Sequence, residues 1–170
     1  MASNRVLRGD TTIWAAYPEA FSDPSAPTVA EMANASLVFD ISCAVEDGYT
    51  LNASSSDTDD SMSICDTGDI STPTFANYEA SIDTFADEDP LAAGVYNLAR
   101  DLFRAKNNEY FLIKRLNIAQ GTAALAGHVL YLYKVKTDNQ QMLIGRGEAV
   151  MYGNRFKPMG EIYENVEVQS

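Results

Sequence analysis

Three groups of side chains have types and spacings that could do chemistry: Asp57, Asp59 and Asp60; the pair Glu79 and Asp83; and His128. The three aspartates could hold a divalent cation, but the EF-hand pattern fails. Counting from Asp57, the sixth position is Met62, where glycine must turn the loop, and the twelfth is Gly68, where a bidentate glutamate is needed. A looser cation site and a solvated acidic loop remain, and the solvated loop is the simpler reading. Glu79 and Asp83 could be the two carboxylates of a glycosidase. Four residues of extended strand separate them by about 13 Å, beyond the roughly 5–9.5 Å that either mechanism uses. His128 is the only histidine. Any Ser-His-Asp triad would have to use it, yet no nucleophile elbow accompanies it. It also lacks a neighbouring cysteine or second histidine, so it reads as structural. No Walker loop or G-x-G-x-x-G occurs, and Gly145-Arg146-Gly147 reads as a turn. Cys43 and Cys65, the only cysteines, are too few for a disulfide scaffold or a four-ligand zinc site. They read as buried reduced thiols, with a bridge between them as the alternative. Sequons begin at Asn34 and Asn52, but no secretory leader gives them weight. No cofactor or metal is implied, and the chain reads as a non-enzyme.

The elements around these residues are mostly strands. Residues 77–85 alternate, with Tyr78, Ala80 and Ile82 on one face and Asn77, Glu79, Ser81 and Asp83 on the other. That pattern suits a sheet with one wet side. Residues 129–137 alternate as well: Val129, Tyr131, Tyr133 and Val135 form an apolar row, and the opposite face runs from Leu130 and Leu132 to Lys134 and Lys136. Further strands are expected at 36–42, 49–51, 61–65, 110–117, 147–156 and 161–168, with turns at 119–127, 138–139 and 157–160. Thr28-Val29-Ala30-Glu31 matches a capping box that opens a short helical turn over 29–34. One long helix is expected over 90–105. Asp87, Glu88 and Asp89 precede Pro90 at its start, and Leu91, Val95, Leu98, Leu102 and Phe103 form its stripe. The whole reads as mainly β: a sandwich or barrel of seven or eight antiparallel strands with one flanking helix.

Residues 1–35 read as an extended N-terminal arm, with prolines at 18, 24 and 27, ahead of a single domain over 36–170. Trp14, Tyr17 and Phe21 are aromatic anchors on that arm. They would either dock on a partner or fold back on their own core. A long acidic loop spans about 52–76. The net charge is −12, which argues against tight nucleic-acid binding, since that needs cations to neutralise phosphates. The charge is uneven: residues 1–89 carry 17 acids and 2 bases, and residues 90–170 carry 7 acids and 10 bases. Two such halves can attract within a fold or between copies. No stretch approaches the roughly 20 apolar residues of a membrane helix. No leader is apparent, so synthesis and folding in a cytoplasm are expected.

Several segments together resemble the major tail tube proteins of siphophages that infect actinobacteria. They are Val38-Phe39-Asp40-Ile41-Ser42-Cys43-Ala44-Val45, Asp47-Gly48-Tyr49-Thr50-Leu51, Ser63-Ile64-Cys65-Asp66, Pro73-Thr74-Phe75-Ala76-Asn77-Tyr78-Glu79-Ala80, Leu98-Ala99-Arg100-Asp101-Leu102-Phe103 and Arg155-Phe156-Lys157-Pro158-Met159-Gly160. The resemblance implies a β-sandwich with a flanking helix, distantly similar to the tube protein of type VI secretion. It implies homohexameric rings, joined by their inner strands and stacked into a hollow conduit for DNA ejection. The subunit would belong to the virion tail, assembled in the host cytoplasm. Its partners would be further copies of itself, the tape measure protein and the tail terminator, with phage DNA passing through without tight binding and with no membrane partner. Glu79 and Asp83 would face the lumen. Trp14, Tyr17 and Phe21 on the arm, and Asp57, Asp59 and Asp60 in the loop, would reach the neighbouring ring. A tail terminator or neck ring of similar fold, and a carbohydrate-binding β-sandwich using Tyr131 and Tyr133 as its platform, are the competing expectations.

Overall fold

A computed structural model describes residues 10–56, 77–144 and 149–170, together with the backbone of 58–59 and 72–73. Eight antiparallel strands form the main sheet. Seven are hydrogen-bonded in the order β2 (Val38–Asp40), β1 (Thr12–Ala16), β7 (Glu109–Arg115), β8 (Val129–Thr137), β10 (Met151–Glu167), β6 (Asn77–Phe85) and β3 (Thr50–Ser54). The eighth, β9 (Gln141–Leu143), pairs with β10. Two short strands, β4 (Thr58–Asp59) and β5 (Thr72–Pro73), form a separate pair.

The main sheet doubles over at β10. The first part of β10 pairs with β6 through Met151–Arg155 and with β9 through Met151–Gly153, and its later part pairs with β8 from Phe156 to Glu167. Two leaves result, β2-β1-β7-β8-β10 and β9-β10-β6-β3, and their facing side chains share one core. Leu51, Tyr78, Ala80 and Ile82 come from one leaf, and Ile13, Ala15, Tyr110, Leu112, Tyr133 and Val135 from the other. The Tyr78 hydroxyl crosses between them to the Lys134 carbonyl. The sandwich expected from the alternation of 77–85 and 129–137 is what forms.

The first leaf is covered on its far side too. Trp14, Ala16, Phe111, Ile113, Leu130, Leu132 and Val166 pack there beneath Ala20, Phe21 and Met32. This second layer is why β1 is buried along its whole length and β7 along nearly all of it. The covering segment includes α1 (Val29–Met32), which carries the expected capping box. Glu31 N–H donates to Thr28 Oγ1 at 3.2 Å, and Glu31 Oε2 accepts from Thr28 N–H at 2.9 Å.

Four expectations change. The helix α2 spans Val95–Arg104 and not 90–105, because Gly94 is extended (φ −149°, ψ 168°) and forms its N-cap. The acids before it make turns: Leu91 N–H donates to Asp89 Oδ1, and Asn97 Nδ2 pins the carbonyls of Asp89 and Ala92. Residues 157–160 are no turn. Gly160 (φ 79°) sits within a register shift of an unbroken β10, so the two expected strands are one. The strand expected over 36–42 is shortened to β2, because Ser42–Ala44 coils into a 3-10 turn. Residues 12–16, read as loose arm, are a strand paired on both edges. The strand expected at 61–65 lies outside the described residues.

Candidate functional site

The outer face of the second leaf carries a polar row on β6: Asn77, Glu79, Ser81 and Asp83. The register places Glu79 opposite Asn52, Ser81 between Thr50 and Arg155, and Asp83 opposite Gly153. Glu79 and Asp83 therefore share a face, as their spacing predicted. They are not equivalent. Arg155 NH1 lies 2.6 Å from Asp83 Oδ1, while Glu79 is exposed. The face is mixed in charge, and sequence reasoning missed Arg155 because its partner lies 72 residues away. Gly153 is useful here: a Cβ would meet Leu143 Cδ1 at 3.1 Å and Asp83 Oδ1 at 3.4 Å, so its absence leaves room for the ion pair.

This leaf ends in two strands, β3 and β9, each hydrogen-bonded on one side among the described residues. Neither contains proline or a charged side chain. Such edges are templates for a further strand. The free flank of β10 beyond residue 156 is different. Pro158, two register shifts, Gly160 and left-handed Asn165 (φ 56°) interrupt it, and Glu161 and Glu164 stand along it. Those are the devices that block strand addition. Apolar side chains gather near β9: Met142 is 60% exposed and Ile144 73%. Leu91, 92% exposed, stands on the turn before α2.

At one end of the first leaf, two adjacent bases are buried. Arg115 is fully enclosed. It stacks 4.8 Å from the Trp14 ring centroid and donates to Thr12 Oγ1 (3.1 Å), the Thr122 carbonyl (2.7 Å) and the Ala123 carbonyl (3.2 Å). Burial lowers its pKa, and the Asp40 charge opposes that shift. Lys114 projects into the sandwich, where Nζ donates to the Leu51 carbonyl (2.7 Å) and Asn52 Oδ1 (2.9 Å). Its pKa is also lowered by burial, against the Glu164 charge. The only sequence signal for this pair was a Lys-Arg doublet closing the apolar run Tyr110–Ile113.

The remaining expected residues separate. Trp14 and Phe21, 7% and 6% exposed, lie in the second core layer. Tyr17 joins an aromatic chain through Phe39 (5.7 Å) and Tyr110 (5.3 Å). All three pack against their own chain. Asp57 and Asp60 lie outside the described residues, and Asp59 is placed only by its backbone, opposite Thr72. Cys43 is an exposed thiol, not a buried one, because it sits on the 3-10 turn after β2. Cys65 is outside the described residues. Tyr133 is buried and Tyr131 half-buried, so they form no open carbohydrate platform. His128 accepts hydrogen bonds from Arg115 and the Leu125 backbone, a structural role. Among the described residues, no three His, Cys, Asp or Glu side chains gather as a metal would require, and no helix is long and apolar enough to cross a membrane.

A two-leaved β-sandwich with a polar outer face and open edges on the same leaf has the build of a structural, self-associating protein. A family model described as phage tail tube protein matches residues 1–170, and the chain belongs to that family. It is therefore a structural component of a phage tail, one that assembles with its own copies and other tail proteins into a tube. No curated protein matches the chain.

Proposed function

We propose that this chain is the major tube subunit of a long, non-contractile siphophage tail. Six copies close into a ring, rings stack, and the bore conducts DNA during ejection. The observation that carries this reading is the contrast between edges. The leaf bearing Glu79, Asp83 and Arg155 has open edges at β3 and β9, and the free flank of β10 is blocked. Head-to-tail pairing of β3 from one copy with β9 from the next closes the leaves into one barrel and removes both edges. The polar face then lines the bore, with Glu79 as its uncompensated charge and Asp83 neutralised by Arg155. Such a lining keeps DNA mobile, since retention needs cations on the wall. Residues 1–35 and the loop of residues 55–76 reach the next ring; β3 (Thr50–Ser54) takes the first residues of the loop expected over 52–76. For the first segment the contact is through its exposed surface, because Trp14, Tyr17 and Phe21 are engaged at home. Assembly takes place in the host cytoplasm, with the tape measure protein and terminator setting the length.

Electron microscopy of the purified protein at high concentration tests this. Tubes of many stacked rings are expected. Single rings that never stack would instead indicate a terminator or neck component. Strictly monomeric protein, even with the tail-assembly partners supplied, would overturn self-assembly altogether. A tube reconstruction with Glu79 and Asp83 on the outer wall would remove them from the lumen.

A further inference from the structure

We propose that His128 is an acid-released latch, holding the loop over residues 119–127 against the first leaf only while its imidazole is neutral. Two donors converge on one ring atom. The Leu125 backbone N–H lies 3.1 Å from His128 Nδ1, and Arg115 NH1 lies 3.3 Å from the same nitrogen. A nitrogen that accepts from both carries no proton, so this arrangement requires the tautomer protonated at Nε2. Protonation of Nδ1 would aim a donor at two donors and set a second positive charge beside a guanidinium that has no exposure to water.

The consequence is confined to the middle of the loop because its ends are fastened elsewhere: Gln120 Nε2 donates to the Thr11 carbonyl at 3.1 Å, and Gly127 N–H donates to the Val168 carbonyl at 2.9 Å. Between them the same guanidinium holds the Thr122 and Ala123 carbonyls. Ala124, from this loop, is part of the layer that covers Trp14 and Met32. Releasing Leu125 and displacing Arg115 therefore loosens the loop and uncovers Trp14. Three carboxylates belong to the segments packed around this end of the leaf. Asp40 on β2 acts on Arg115, Glu167 on β10 stands opposite Val129, and the Asp10 backbone receives the Ile118 N–H. Among the described residues, no carboxylate is hydrogen-bonded to the imidazole. The direction is consistent: burial and then the Arg115 charge hold His128 below its ordinary pKa. A group depressed in this way stabilises the closed loop above the ordinary histidine value of about 6.5. That contribution is lost as pH falls through the folded value.

The test uses the full chain and two features of its composition, one tryptophan and one histidine. Trp14 fluorescence and the imidazole NMR signal are followed between pH of about 8 and 5, where imidazole is the ordinary side chain that titrates. The expected result is a fluorescence transition whose midpoint coincides with the imidazole titration, below about 6.5. Protection of the Leu125 amide, corrected for intrinsic exchange, should fall by up to about tenfold per pH unit between about 6.5 and that midpoint. His128→Asn can present an uncharged acceptor from Oδ1 and should flatten the fluorescence curve. Fluorescence that stays constant while the imidazole titrates would overturn the latch. So would an unchanged transition in His128→Asn, which would place its cause in the carboxylates. If that variant does not fold, the coincidence of the two wild-type midpoints still decides.

Discussion

Glu31 is where a four-residue helix turn is held in place. Its carboxylate takes the Ser22 and Thr28 backbone N–H groups, each at 2.9 Å, and both hydroxyls. Burial alone would raise its pKa, but these four donors outweigh burial and bring it from 4.5 to about 2. A folded value below the unfolded one means stability that is present above about 4.3 and is lost as pH falls toward 2. The group is half-buried and partly screened by water, so the capping scale applies rather than the whole shift. Glu31→Ala should lower unfolding free energy by about 1 kcal/mol at neutral pH. It should also remove that part of the acid dependence, as read from urea denaturation at several pH values. Arg115 lies at the other extreme. It has no exposure and four neutral acceptors, so Arg115→Ala leaves a cavity and unpaired buried groups and should cost roughly 3–5 kcal/mol. Arg115→Lys should recover little of this, because one ammonium cannot replace a fork that both stacks on Trp14 and reaches two carbonyls. A fall in the denaturation midpoint with unchanged slope checks both.

The elements show what could be read ahead of the structure. Strands β6 and β8 were legible because each has two chemically different faces, and the Thr28–Glu31 box because both halves of its bonding are local. The start of α2 was misread for the opposite reason: Asp87 through Pro90 suits a helix start, but Gly94 and the Asn97 side chain hold the chain in turns. Strand β1 looked like loose arm because its five residues are buried on both faces and so carry no alternation. Gly160 and Pro158 read as a turn because a bulge inside a strand and the end of one share the same residue types. Strand β9 gave almost no signal, yet the proposed ring closure turns on it. Met142→Lys puts a charge at that edge, where the native side chain is mostly exposed. The expected outcome is tube assembly abolished by microscopy, with the monomer's stability unchanged within about 0.5 kcal/mol. A destabilised monomer, or normal tubes, would contradict the use of that edge.

At the scale of the whole molecule the decisive quantity is charge and where it stands. The chain carries −12, and the first 89 residues hold most of it. A subunit so charged resists close packing with its own copies in dilute salt, and screening relieves that resistance over a Debye length of about 10 Å at 0.1 M. Repulsion is also what a DNA conduit requires on its inner wall. On the proposed lining the Asp83–Arg155 pair is nearly neutral, which leaves Glu79 to supply the repulsion. Glu79→Lys reverses it at an exposed position and should leave the fold intact. Phage carrying Glu79→Lys should eject DNA more slowly than wild type at low ionic strength. The difference should shrink as salt rises, because phosphate contacts weaken with the logarithm of salt concentration. A lysine on the outer wall could not retard DNA inside the tube, so equal ejection rates at low salt would place Glu79, and the leaf that carries it, outside the bore.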